Sequence, residues 1–181
     1  MKFHALPLDG CFRVELEYYA DSRGRFARTF CIAEFAAVGL ATRWLQMNSS
    51  VTARAGAVRG IHFQRSPYRE IKLIRCVRGA VWDVAVDLRE GSRTFGKWAA
   101  VELSAGNGQM MYVPEGFGHG FQCLADDSEL VYLHSAVYAP GSEGGVRHSD
   151  PTLAIAWPMP IGEVSPRDME LPLLDEVDPI T

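Results

Sequence analysis

Apolar residues recur at every second position through most of this chain, and at helical spacing in one short stretch. Residues 1–20 alternate, with Phe12, Val14, Leu16 and Tyr18 on one side, and read as a strand. Asp21-Ser22-Arg23-Gly24-Arg25 is a turn with two cations. Ile32, Phe35, Ala36 and Gly39 fall at helical spacing, which predicts a short helix over Cys31–Val38 ended by Gly39. Trp44–Ser50 is strand-like and places Gln46 and Asn48 on one face. A basic loop follows over 52–56, then the apolar run Val58–Gln64, then two apolar strands that flank Gly79. In Val81–Leu88, Trp82, Val84, Val86 and Leu88 form one face. Val81, Asp83, Ala85 and Asp87 form the other, a small and acidic face suited to lining a cavity. Arg89–Gly96 is a polar turn, and Trp98–Leu103, Gln109–Val113, Gly120–Leu124 and Glu129–Tyr138 read as further strands. From Ala139 onward Gly and Pro are frequent and periodicity is lost. Short strands at near-regular spacing with little helix predict an all-β sandwich or barrel. No linker or low-complexity tract divides the chain, so residues 1–181 are expected to form a single domain.

Composition narrows the function classes. The chain is 48% apolar and 22% charged, as in ordinary soluble proteins, and its net charge of -4 argues against nucleic acid as a partner. No apolar run approaches bilayer length and no basic-then-apolar leader opens the chain. The expectation is therefore a cytoplasmic protein with no membrane partner. Cys11, Cys31, Cys76 and Cys123 are scattered without Cys-x-x-Cys spacing and read as reduced structural cysteines.

The first candidate chemistry lies in Arg59, His62 and Lys72, which fall within fourteen residues. Ionisable groups in apolar runs need partners, because burying charge is costly. A base that works near neutral pH, a cation and an anion-binding arginine so close together mark the start of an active site. Gly108-x5-Pro114-x-Gly116-x2-His119-x3-Cys123 nearly matches the second motif of the cupin superfamily, with Cys123 where that pattern has asparagine. Pro114 and Gly116 shape a tight turn, and the next strand aims His119 inward. The first cupin motif is degraded. Its metal-binding place reads His62-Phe63-Gln64, with Glu70 too far along. Two histidines do not complete a first-row metal site, so no metal is expected.

The chain as a whole resembles the nucleotide-sugar 3,5-epimerases, the dTDP-4-dehydrorhamnose 3,5-epimerase family. The resemblance is carried in order by Asp21-Ser22-Arg23-Gly24, Gln46-Met47-Asn48, Arg59-Gly60-Ile61-His62-Phe63-Gln64 and Lys72-Leu73-Ile74-Arg75. It continues through Asp83-Val84-Ala85-Val86-Asp87, Pro114-Glu115-Gly116-Phe117-Gly118-His119-Gly120-Phe121, Tyr132 and Tyr138-Ala139-Pro140. Asp150-Pro151, Trp157-Pro158 and Arg167-Asp168 complete it. The resemblance implies a cupin-type antiparallel barrel or jelly roll with a few short helices. It also implies a homodimer whose N-terminal strands cross to the partner sheet. The implied reaction needs no cofactor. A 4-keto-6-deoxy sugar on thymidine diphosphate loses a proton beside its ketone, and the enolate is reprotonated from the opposite face at C3 and C5.

Four residues match the family's acid–base set. His62 resembles the base, Lys72 the cation near the ketone, Tyr132 the acid, and Asp168 the carboxylate that pairs with the base. Each has a structural alternative. His62 also reads as a hydrogen-bonded core histidine, Lys72 as a surface lysine and Tyr132 as barrel filling. Ser165-Pro166-Arg167-Asp168 also reads as a helix N-cap with Pro at N1 and an acid at N3. Arg23 and Arg59 resemble diphosphate or sugar contacts, whose geometry guanidinium forks suit. Gln46 and Asn48 resemble the nucleotide-binding amides. His119, Glu143 and Arg167 match further ligand contacts, and Tyr138 the aromatic that stacks on thymine. Several positions depart from the family: Arg28, Met47, Glu70-Ile71, Leu133 and Val137. These departures leave open a C3-only epimerase or another nucleotide sugar. A metal-dependent cupin enzyme and a non-catalytic sugar-binding cupin are the alternatives of other classes.

Overall fold

The computed structural model describes residues 1–181. Its strands are β1 (Lys2–Ala5), β2 (Phe12–Glu15), β3 (Tyr19–Asp21), β4 (Gly24–Phe26), β5 (Gln46–Thr52), β6 (Val58–Gln64) and β7 (Lys72–Arg78). They continue as β8 (Ala80–Asp87), β9 (Trp98–Ser104), β10 (Met110–Val113), β11 (Phe117–Cys123), β12 (Ser128–His134) and β13 (Glu143–Gly145). Two short α-helices, α1 (Ile32–Ala37) and α2 (Pro166–Met169), and two 3-10 turns, Pro140–Ser142 and Leu174–Glu176, complete the regular structure. The strands form a six-stranded sheet, β1-β2-β10-β7-β12-β5, and a five-stranded sheet, β13-β6-β11-β8-β9, with β3–β4 as a separate hairpin. All the strand pairs are antiparallel, the all-β architecture expected from the alternation. No helix is long and apolar enough to cross a membrane.

Residues 1–20 do not form one strand. Pro7 and the Asp9-Gly10 turn fold the segment back, closed by Leu6 N–H donating to Cys11 O at 2.9 Å, so β1 pairs with β2. A proline has no N–H to give to a ladder, which makes the break physical. The helix stands where expected, with Cys31 as N-cap and Gly39 at φ +73° just past its end. The strand expected over Gly120–Leu124 begins earlier, at Phe117, and that expected over Glu129–Tyr138 ends at His134.

Alternation along the strands builds three apolar layers. Inward-facing Ile74, Cys76, Val81, Ala85, Met111, Phe121, Cys123 and Leu130 pack between the sheets, with Cys76 and Cys123 as small buried hydrophobes. All four cysteines are free. The outer face of the six-stranded sheet, with Leu73 and Tyr112, is covered by Phe35 of α1. The outer face of the five-stranded sheet, with Ile61, Phe63, Val84 and Val86, is covered by Leu153, Ile155, Leu174, Val177 and Ile180. The aperiodic C-terminal segment therefore has a task. It seals a sheet whose two faces are both apolar, and it carries α2 to β6, where Val58 N–H donates to Glu163 O at 3.0 Å.

Asp87 organises the turn after β8. Its carboxylate is fully buried and accepts from Arg89 N–H (3.0 Å), Arg89 Nη2 (2.7 Å), Ser92 Oγ (2.6 Å) and Thr94 Oγ1 (2.6 Å). Burial pushes this carboxyl upward, but the bonds from Arg89, Ser92 and Thr94 outweigh it and bring the pKa down from 3.8 to about 2. A depressed carboxyl stabilises the fold above its unfolded pKa and loses that contribution as pH falls through its folded one. The loss should therefore run from about pH 4 to about pH 2. Asp87→Asn removes this titration. Unfolding midpoints in urea across that window should fall less steeply for the variant than for the wild type, and parallel curves would refute the assignment.

Candidate active site

The inward face of the sandwich changes character along two neighbouring strands. On β7 the inward positions run Cys76, Ile74, Lys72, and on β12 they run Leu130, Tyr132, His134. The apolar core gives way there to a cavity of about 650 Å³. His62, Arg59 and His119 line it from the five-stranded sheet, Asn48, Lys72, Tyr132 and His134 from the six-stranded sheet, and Arg167 and Asp168 from α2. A smaller recess of about 220 Å³ adjoins it, shares Asn48, His62, Lys72 and His134, and is closed by Gln46, Gln64, Glu70, Tyr138 and Glu143.

His62 and Asp168, 106 positions apart, meet with Nε2 2.7 Å from Oδ1. Asp168 is buried, and its second oxygen accepts from Gly60 N–H at 3.0 Å. Its own N–H donates to the N-cap Ser165 Oγ at 3.1 Å, so the capping role and the pairing role coexist. Burial pushes the Asp168 carboxyl upward, but the hydrogen bonds from His62 and Gly60 prevail and hold it below the usual carboxylate range. An ionised Asp168 accepts from Nε2–H, which leaves the imidazole lone pair on Nδ1. Gly60 lets β6 lie close against β11 at this point. It has φ +102°, and a Cβ there would lie 2.6 Å from His119 O and 2.7 Å from Gly120 Cα.

The facing wall holds a proton donor and a cation. Burial foremost, with the negative charge of Asp83, raises the Tyr132 phenol well above its ordinary value, against the pull of Ser50 and Arg59. Tyr132 is thus held protonated. Lys72 is buried with its Nζ 3.2 Å from Glu70 Oε1, and it donates to the His62 carbonyl at 3.4 Å. An imidazole base on one wall and a protonated phenol with a lysine on the other can take a proton from one face of a substrate and return one to the opposite face.

The binding candidates divide. His119 sits beside His62 in the β6–β11 register, lies 2.7 Å from Asp83 Oδ1, and has its ring centroid 5.8 Å from that of Tyr132. Arg59 lines the cavity and donates through Nε to Thr52 Oγ1 at 2.9 Å. Arg167 is 2.6 Å from Glu143, which also accepts from the Tyr138 hydroxyl at 2.7 Å. Gln46 donates to Asn48 Oδ1 at 3.1 Å, so the two amides share a face as the strand period requires. Arg23 is not brought to the cavity. It stands exposed on the β3–β4 hairpin, 2.6 Å from Asp21.

Sequence reasoning missed three residues of the site. Asp83 was expected to line a cavity; instead it is fully buried behind His119, which does, while Asp87 serves the turn. Glu70 is too distant in sequence to serve a metal motif, yet it lies against Lys72. His134 was readable, since it stands two positions after Tyr132 on the same strand face. No three His, Cys, Asp or Glu side chains are grouped so as to hold a metal ion.

A family model described as dTDP-4-dehydrorhamnose 3,5-epimerase matches residues 5–176. A dTDP-4-dehydrorhamnose 3-epimerase of Streptomyces niveus is 44% identical over 97% of this chain and 85% of its own length. A dTDP-4-dehydrorhamnose 3,5-epimerase of Methanothermobacter thermautotrophicus is 42% identical over 87% of this chain and 84% of its own length. Among solved structures, NovW, a 4-keto-6-deoxy sugar epimerase from the novobiocin biosynthetic gene cluster of Streptomyces spheroides, superimposes with a TM-score of 0.93. The two are 43% identical, over 97% of this chain and 88% of that one. With a matching family model along almost its whole length and relatives above 40% identity, the chain belongs to the dTDP-4-dehydrorhamnose 3,5-epimerase family and is an isomerase.

Proposed function

We propose that this protein inverts C3 and C5 of a 4-keto-6-deoxy sugar carried on thymidine diphosphate, most directly dTDP-4-dehydro-6-deoxyglucose, without a cofactor. The observation that carries the reading is the placement of the His62–Asp168 pair on one wall of the cavity and of Tyr132 with Lys72 on the other. His62 Nδ1 takes the proton from the carbon beside the ketone, and the C–H electron pair becomes the enolate. Asp168 stabilises the imidazolium that results. The Lys72 ammonium offsets charge on the enolate oxygen. Tyr132 gives its hydroxyl proton to the opposite face, which inverts the carbon; Tyr132 is then reprotonated from solvent, and His62 releases its proton to solvent and is a base again. The step repeats at the second carbon.

The binding assignments follow the same reading. Arg59, Arg167 and His119 contact the diphosphate and sugar, while Gln46, Asn48, Tyr138 and Glu143 receive the nucleoside in the adjoining recess. The chain works in this reading as one cupin-type domain in a cytoplasmic homodimer. Its β3–β4 hairpin then carries Arg23 to the cavity of the second copy. The Streptomyces niveus relative, named a 3-epimerase, supports a narrower reading in which only C3 is inverted. Incubation with dTDP-4-dehydro-6-deoxyglucose in deuterated water, followed by NMR, should place deuterium at C3 and C5. Deuterium at C3 alone would establish the narrower reading, and none at either carbon would refute both.

His62→Ala should lower exchange at both carbons by roughly 10²–10⁴-fold, the range of a lost general base, while dTDP affinity stays close to wild type. Asp168→Asn keeps the shape and removes the charge, and should slow exchange by at least about tenfold. If Asp168→Asn keeps full turnover but lowers the melting temperature, Asp168 serves only as part of the α2 cap.

Tyr132→Phe separates acid from base. Deuterium wash-in at the first carbon should survive better than net inversion, because His62 can still remove a proton and return one to the same face. Equal loss of both would make Tyr132 a binding or structural residue.

A further inference from the structure

A directed chain of hydrogen bonds runs from the Tyr138 loop to Lys72. Its first donor is unambiguous, because a backbone N–H can only donate. Tyr138 N–H donates to Gln46 Oε1 at 2.9 Å, which fixes the orientation of that amide and makes its Nε2 the donor to Asn48 Oδ1 at 3.1 Å. Asn48 is thereby oriented too, and its Nδ2 faces His134 Nε2 at 3.4 Å. An amide nitrogen can only donate, so His134 Nε2 is the acceptor. The imidazole then carries its proton on Nδ1, which lies 2.7 Å from Glu70 Oε2. The other Glu70 oxygen is 3.2 Å from Lys72 Nζ.

Asn48 is exposed, and the links beyond it are confined. His134 is 8% exposed and Lys72 7%, and the two are cross-strand neighbours on β12 and β7. Burial pushes the Glu70 carboxyl upward, but the hydrogen bond from His134 and the charge of Lys72 prevail and hold it below the usual range. Glu70 is therefore an ionised bridge with one oxygen on each neighbour. A lysine has four rotatable bonds, and an ammonium displaced by an ångström stabilises an enolate poorly.

We propose that His134 and Glu70 are positioning residues: His134, locked as the Nδ1–H tautomer by Asn48, holds Glu70 so that Glu70 fixes the Lys72 ammonium at the enolate site. The chain begins at Tyr138 and Gln46, so the recess assigned to the nucleoside and the group that stabilises the enolate are mechanically joined. The catalytic consequence rests on the epimerase reading; the hydrogen-bond chain itself does not.

Two measurements test it. Nitrogen-15 NMR of the free wild-type protein, labelled at its 5 histidines, should show His134 as a neutral ring protonated at Nδ1, the tautomer that free histidine disfavours. The His134 signal is identified by its loss in His134→Asn. A charged ring, or one protonated at Nε2, overturns the chain whatever the activity. In the deuterium assay, His134→Phe removes both ends of the link and should lower kcat by roughly 10–100-fold with KM changed less than about threefold. His134→Asn keeps an N–H donor near the position of Nδ1 and should recover kcat to within about threefold of wild type. If His134→Phe turns over like the wild type, or His134→Asn is as slow as His134→Phe, the positioning role is refuted. A wild-type protein that exchanges no deuterium would overturn the epimerase reading and the catalytic role of the pair with it, while the nitrogen spectrum still decides the hydrogen-bond chain.

Discussion

Every ionisable group that the strand period turns inward has to find a partner, because the sheets that orient it also strip it of water. That constraint shapes the cavity more than any single residue does. His62 meets Asp168, His119 meets Asp83, and Lys72 and His134 share Glu70. Apart from Glu70 and Lys72, which are two positions apart, the pairs join elements distant in sequence, so satisfying the charges also ties β6 to α2, β11 to β8, and β12 to the start of β7. One carboxylate oxygen, Asp83 Oδ2, stays buried without a protein partner, directly behind the ring that faces the cavity. The polar end of the sandwich is therefore built by pairing, and the apolar end by packing.

The period of two made most of this legible. It gave the two faces of β8 and the shared face of Gln46 and Asn48 without any tertiary information, while the inward direction of His119 came from the cupin-like motif. The failures fall where period says nothing. Residues 1–20 alternate through a turn, because Pro7 interrupts the ladder and leaves the pattern of apolar side chains on either side intact. The C-terminal segment has no period at all. Its apolar residues cover a sheet irregularly, and only the three-dimensional structure shows that Asp150 ties it down by accepting from Leu153 N–H (2.7 Å) and Leu174 N–H (2.8 Å).

The site was legible in a different way. Resemblance supplied His62 and Asp168, whose separation of 106 positions no local rule could bridge. The same resemblance supplied Arg23, which the chain does not bring to its own cavity. It gave no role to Glu70, which departs from the family pattern, or to His134, which lies outside the matching motifs. Local chemistry would have found them: a histidine two positions after Tyr132 must point inward, and an inward histidine beside a buried lysine requires an anion.

The departures from the family pattern then sort by direction. Arg28 pairs with Glu34 on the surface, 2.9 Å away, and Met47 is 66% exposed. Leu133 points outward into the cluster beneath α1, and Val137 is exposed on the loop before Tyr138. None of these lines the cavity or its recess. Glu70 alone faces the chemistry, and it does so through Lys72 and His134. Substitutions on an outward face meet water or a tolerant apolar layer, where a new side chain is accommodated singly. An inward carboxylate is not tolerated alone, and this one is accompanied by the two donors that make it acceptable. The one departure that reaches the cavity's recess thus sits in a set whose charges compensate one another.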